Sequence, residues 1–104
     1  MSGPDHHPRR LLLDVMLGKL AVYLRICGYD AAYAGDRNIE ADEAVRRVAD
    51  REDRHLSSRD RALIAAAADA TLLSGLEISD QLAELRAAGF TLEPADPPTR
   101  LWAV

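Results

Sequence analysis

Along this chain, short apolar runs alternate with longer stretches that carry helical spacing. Leu11, Leu12 and Leu13 form a run that closes at Asp14 and has the length of a buried strand. Residues 16–27 follow as a predicted helix: Leu17, Leu20, Ala21 and Leu24 fall at i, i+3, i+4 and i+7, and Gly28 stands where a glycine ends a helix. The unit then repeats. A second strand is expected over 29–34, and a second helix over 41–51 with Ala44, Val45, Val48 and Ala49 inward and Arg46, Arg47 and Asp50 outward. His55, Leu56 and Ser57 read as a third strand and 60–69 as an alanine-rich third helix. A fourth strand is expected over 70–73, and a fourth helix over 80–88 with Leu82 and Leu85 inward and Gly89 at its end. Strands alternating with helices of about ten residues predict right-handed crossovers and a mostly parallel sheet covered on both faces. The expected fold class is therefore α/β, a three-layer α/β/α sandwich around a short sheet. Residues 90–92 are positioned to add an edge strand, whereas Pro94, Pro97 and Pro98 keep the segment after them out of a sheet interior. The expected organisation is a loose tail over 1–8, one folded domain over 9–92 and a proline-rich tail over 93–104.

Composition narrows this picture. At 104 residues there is room for one core. The formal charge is -4, from 17 acids against 13 bases, so a domain that grips nucleic acid by bulk positive charge is excluded; such a role needs locally placed cations. Cys27 is the only cysteine, which removes an intramolecular disulfide framework and any four-cysteine zinc site. No apolar run has the length of a membrane helix and residues 1–10 do not form an apolar signal core, so no membrane partner is expected and the expected location is the cytoplasm.

In an open parallel sheet, ligands bind outside the carboxyl ends of the strands. The residues that follow the apolar runs here are largely aspartates: Asp14 after the first, Asp36 after the second and Asp60 after the third, with Asp42 and Glu43 opening the second helix at the same edge. Carboxylates gathered in one cleft repel, and a divalent cation with a taste for hard oxygen ligands relieves that repulsion, which points to magnesium or manganese. Helix capping explains the same residues differently, since aspartate is favoured at N-caps and in first turns. Capping suits Asp36 and Asp42 well, and Asp14 poorly, because it follows three leucines on a strand. Lys19, Arg25, Arg59 and Arg61 lie near these acids and are suited either to phosphate oxygens or to local ion pairs.

Other chemistries find less support. Gly18-Lys19 is followed by Leu20 and has no glycine five residues before Gly18, so it is no phosphate loop, and there is no G-x-G-x-x-G. A phosphoacceptor receiver domain needs a lysine late in the chain, and Lys19 is the only one. Ser57 and Ser58 lack a histidine in triad order, His55 being on the same strand. His6 and His7 lack a third ligand at fixed spacing, and Cys27 reads as core.

The run from Leu13-Asp14-Val15-Met16-Leu17-Gly18-Lys19-Leu20-Ala21 through Tyr23-Leu24-Arg25 to Gly28-Tyr29-Asp30 resembles the mut-seven C-terminal RNase domain family, a PIN-like nuclease group. Ser58-Arg59-Asp60-Arg61-Ala62-Leu63 resembles that family's Thr-Arg-Asp-Arg-x-Leu segment with serine for threonine, and Gln81-Leu82 fits as well. The resemblance covers residues 11–85. It implies a PIN-like sandwich acting as a magnesium- or manganese-dependent ribonuclease, with Asp14 and Asp60 at the acidic positions and Asp42 or Glu43 as the helix carboxylate. Catalysis is expected from Asp14, Glu43 and Asp60, and metal binding from these with Asp42. Phosphate or RNA contacts are expected from Lys19, Arg25, Ser58, Arg59 and Arg61, and Asp36, Glu77 and Asp80 rank second. Two departures stand out. Family members commonly continue into a zinc ribbon of paired C-x-x-C motifs, whereas Thr99-Arg100-Leu101-Trp102-Ala103-Val104 holds no cysteine, and Ser74-Gly75-Leu76-Glu77 lacks the aspartate often found after the fourth strand. The rival readings are a noncatalytic RNA-binding or protein-interaction module of the same fold, and a toxin-type RNase with a small antitoxin partner. A homodimer or a small regulatory protein is compatible with each.

Overall fold

The computed structural model describes residues 10–92. The expected tails over 1–8 and 93–104, including His6, His7 and the three prolines, lie outside the described residues. Arg10–Leu13 (β1), Asp30–Tyr33 (β2), His55–Ser58 (β3) and Ala70–Leu72 (β4) form one sheet in the order β2-β1-β3-β4. Every pairing is parallel, with Leu12 opposite both Ala32 and Leu56, and Ser57 opposite Thr71. The helices Gly18–Ile26 (α1), Asp42–Arg51 (α2), Arg61–Ala66 (α3) and Ile78–Ala87 (α4) connect or follow the strands, and Ala34–Arg37 makes a 3-10 turn after β2.

Strand β1 is central, so both its faces are covered and alternate leucines serve different layers. Leu11 and Leu13 pack with Leu17, Leu20 and Leu24 of the α1 side and Leu82 and Leu85 of α4. Leu12 packs on the opposite face with Val45, Val48 and Ala49 of α2, Leu56 of β3 and Leu63 of α3. This is the three-layer α/β/α sandwich of a PIN-like fold. All three leucines are fully buried, each contributing about 1.5–3 kcal/mol of apolar burial. Helices α1 and α4 both end in the left-handed glycine that the sequence marks: Gly28 has φ +96° and Gly89 φ +105°.

Several expectations change, among them the start of α4, which begins at Ile78 rather than at residue 80. Helix α1 starts at Gly18 because residues 14–17 form a turn in which the Leu17 amide donates to the Asp14 carbonyl (2.9 Å). Helix α3 stops at Ala66 because Ala67 is extended, at φ -89° and ψ 149°. Residues 90–92 form no edge strand. Phe90 and Leu92 are buried in the α1/α4 layer, and the backbone between them is satisfied by a side chain: the Thr91 amide donates to the Tyr29 hydroxyl (3.2 Å), which donates back to the Thr91 carbonyl (3.1 Å).

At the amino ends of the strands, Arg54 is a buried clamp. Its guanidinium donates to the carbonyls of Leu11 (3.2 Å) and Asp30 (2.9 Å) and pairs with the Asp30 carboxylate (3.1 Å) and Glu52 (2.7 Å). Glu52 also holds Arg37 at 2.6 Å. His55, nearly fully buried, is fixed beside it by Asp69 (2.8 Å) and Thr71 (2.7 Å). These charges stitch the end of the sheet opposite to the acidic one.

Candidate active site

The chain leaves β1 toward β2 on one side and later returns to β3 on the other, so a crevice opens between the carboxyl ends of β1 and β3. Asp14 and Asp60 stand on its two sides. They are tied together by Ser58, the last residue of β3, which is fully buried. The Ser58 hydroxyl donates to Asp14 Oδ2 (2.7 Å) and accepts from the Asp60 amide (2.9 Å). Asp14 Oδ1 accepts from the Val15 amide (2.8 Å), and the Asp14 amide donates to the Ser57 carbonyl (3.1 Å). The Ser58 hydroxyl, expected to contact phosphate, is enclosed and engaged on both acids.

Asp60 joins two readings that the sequence leaves open. It is the N-cap of α3, and Oδ1 alone accepts both capping bonds, from the amides of Ala62 (2.9 Å) and Leu63 (3.1 Å). Capping thus engages Oδ1 only. Asp42, the first residue of α2, lies at the same mouth. Its carboxyl is held above the ordinary range by partial desolvation, by the charge of Asp60 and a hydrogen bond between the two carboxyls, and by the charge of Asp14.

Glu43 is turned elsewhere. It pairs with Arg46 at 2.6 Å and Arg47 at 3.5 Å, one turn along α2, and these partners hold its carboxyl below the usual range. The helix carboxylate that feels Asp14 and Asp60 is Asp42, because the step from one helical residue to the next rotates the side chain away from the crevice. Asp36 is paired with Arg25 at 3.5 Å, and Arg25 also donates through Nε to the Ala31 carbonyl (2.8 Å), so both are engaged along β2. Glu77 and Asp80 lie exposed at the start of α4, and Gly75 leaves the room that the Asp80 side chain occupies, since a Cβ there would stand 2.4 Å from it.

Among the cations, Lys19 and Arg61 are exposed on the first turns of α1 and α3. Arg59, between Ser58 and Asp60, has a buried Nε with no hydrogen-bond partner among the described residues. Its charge helps to lower the Glu84 carboxyl, whose larger causes are bonds from Ser74 (hydroxyl 2.6 Å, amide 2.9 Å) and the Gly75 amide (2.9 Å). Arg59 therefore reaches from the crevice toward the turn after β4. Among the described residues no three His, Cys, Asp or Glu side chains are drawn together as an assembled metal cluster. The donor chemistry nonetheless fits a hard divalent cation: the Asp42 carboxyl feels the charges of both Asp60 and Asp14, and Asp60 caps α3 through Oδ1 alone.

A short parallel sheet between two helical layers, with acids at its switch point, defines the PIN-like class. The chain belongs to the Mut7-C RNAse domain family, whose model matches residues 9–100, so this is a ribonuclease-type domain. No curated protein and no solved structure gives a significant match. Among the described residues no helix is long and apolar enough to cross a membrane.

Proposed function

We propose that this protein is a magnesium- or manganese-dependent ribonuclease that hydrolyses RNA phosphodiester bonds at the crevice between β1 and β3. The observation that carries the reading is the Asp14–Ser58–Asp60 chain of hydrogen bonds at the carboxyl edge of the sheet, with the Asp42 carboxyl raised beside it by partial desolvation and by the charges of Asp60 and Asp14, in a chain of a ribonuclease-type family. Asp14, Asp42 and Asp60 would hold the cation, which when bound supplies positive charge against the phosphate and acidifies water for attack. Ser58 keeps Asp14 in one rotamer through its 2.7 Å bond, so that carboxylate is oriented before substrate arrives. Arg59, between Ser58 and Asp60, and Arg61, at the start of α3, add guanidinium charge for a phosphate oxygen.

The test is cleavage of end-labelled single-stranded and structured RNA with Mn²⁺. Activity should vanish with EDTA and fall by about two orders of magnitude or more in Asp14→Asn, Asp42→Asn and Asp60→Asn, the scale of losing a principal electrostatic group. Glu43→Gln should retain it. Cleavage that survives both EDTA and Asp14→Asn overturns the reading, while RNA binding without cleavage in the unmodified protein favours the noncatalytic module.

A further inference from the structure

Beside Asp14 the turn into α1 and the start of α4 enclose a groove of about 370 Å³, the size of a small-molecule site. Its lips are apolar and exposed. Met16 is 70% and Leu76 78% exposed, and they are two of only three large hydrophobic side chains left so open among the described residues; the third, Val22, is elsewhere on α1. Its interior is polar. Gln81 lines it while only 7% exposed, and its amide nitrogen donates to the Gly75 carbonyl (3.1 Å). Among the described residues no donor reaches its Oε1, which is not one of the enclosed unpartnered atoms, so this acceptor stays accessible in the groove wall. Lys19 stands at the rim, and α1 begins there with neither a capping side chain nor an acid in its first turn, leaving its amide dipoles open to an anion. The floor is the Tyr33 ring, which passes 3.3 Å from where a Gly18 side chain would begin and whose hydroxyl donates to the Val15 carbonyl (2.6 Å).

A groove with apolar lips, a positively biased rim and an accessible acceptor in its wall, lined by Val15 next to Asp14, matches one nucleotide of a single strand. We infer that this groove is a nucleotide subsite for single-stranded RNA next to the scissile bond. The base lies between Met16 and Leu76 with its edge donating to Gln81, and its phosphate faces Lys19 and the start of α1. A duplex keeps its bases stacked and paired and offers no base to such a slot. The inference rests on the ribonuclease reading and supplies its substrate class.

Binding is to be read apart from turnover, by fluorescence anisotropy of labelled single-stranded and duplex RNA with Ca²⁺ in place of Mn²⁺. The doubly substituted Met16→Ser/Leu76→Ser protein, changed only at exposed positions, should lose about tenfold in affinity for the single strand, the low end of one base's stacking contribution. Val22→Ser should bind like the parent. Lys19→Gln should weaken all sequences alike and flatten the salt dependence, whereas Gln81→Met should alter the preference among homopolymers. Parental affinity in the double variant, an equal loss on duplex RNA, or the same loss in Val22→Ser overturns the subsite. These outcomes are independent of whether Mn²⁺ restores cleavage, so failure of the subsite and failure of the nuclease reading give different results.

Discussion

Ser57 and Ser58 are adjacent, both fully buried, and should respond oppositely to the same substitution. Ser58→Ala removes a hydroxyl that donates to Asp14 Oδ2 at 2.7 Å and accepts from the Asp60 amide at 2.9 Å. A hydrogen bond to a charged acceptor contributes about 1.5–3 kcal/mol and a neutral one about 1 kcal/mol. Asp14 is half-buried, so water can take up part of the freed oxygen, and the expected net loss is about 2–3 kcal/mol. Ser57→Ala removes a hydroxyl whose Oγ is enclosed without any partner among the described residues. Burying such a group costs about 1–3 kcal/mol in proteins, so its removal should be neutral or stabilising by up to about 1 kcal/mol once lost packing is deducted. The pair should therefore differ by about 3 kcal/mol, or by more than about 10 °C in Tm for a domain of this size. Urea unfolding of both variants, with the slope against denaturant held as a check on two-state behaviour, measures the difference. Equal destabilisation, or a Ser58→Ala protein as stable as the parent, would refute the claim that the Ser58 hydroxyl braces the crevice. Ser58→Thr, which keeps the hydroxyl, should restore cleavage better than Ser58→Ala.

Arg54→Met should cost about 2–3 kcal/mol by urea unfolding, because it strands the Leu11 and Asp30 carbonyls at the strand ends and removes the partner of the more exposed Asp30 and Glu52 carboxylates; a loss below about 1 kcal/mol would show that the clamp is not structural. Glu52 gives the pH dependence: hydrogen bonds from Arg54 and then Arg37 pull its carboxyl down to about 2. A folded value below the unfolded one means the stabilisation is complete above the ordinary carboxylate range and is lost as pH falls toward 2. With a quarter of the side chain exposed, it amounts to about 1–2 kcal/mol after allowance for screening. Glu52→Gln should be less stable at neutral pH and lose less on acidification, and parallel curves for the two proteins would contradict the linkage.

How far the sequence discloses this molecule depends on the range of each interaction. The β/α alternation is legible because helical spacing and apolar runs are local, and Asp14 and Asp60 are legible because they directly follow buried strands. Ser58 as a brace is not, since its partner Asp14 is 44 residues away. The choice between Asp42 and Glu43 turns on the rotational phase of α2, although Arg46 and Arg47 at i+3 and i+4 of Glu43 are a local sign that Glu43 is engaged outward. Residues 90–92 resemble a strand because burial of Phe90 and Leu92 gives the same alternation, whether the intervening backbone meets a strand or the Tyr29 hydroxyl. Arg54 carries no local sign, as its four acceptors come from three separate segments.

The net charge of -4 acquires a different meaning once it is divided between the two ends of the sheet. At the amino end Asp30 and Glu52 each meet an arginine, so their charge consolidates the fold. At the carboxyl end Asp14, Asp42 and Asp60 form no ion pair among the described residues, and Asp42 is burdened by the other two. Asparagine would fill the same space, cap α3 and accept from Ser58 without that repulsion. A sequence that satisfies its charges at one end and leaves them in conflict at the other departs from internal consistency where function is expected to require it. The conflict also sets the electrostatics of the proposed reaction. A divalent ion among these acids reverses the local sign and makes an acidic protein attractive to phosphate at that one edge, while Lys19, Arg59 and Arg61 need only guide the strand on either side.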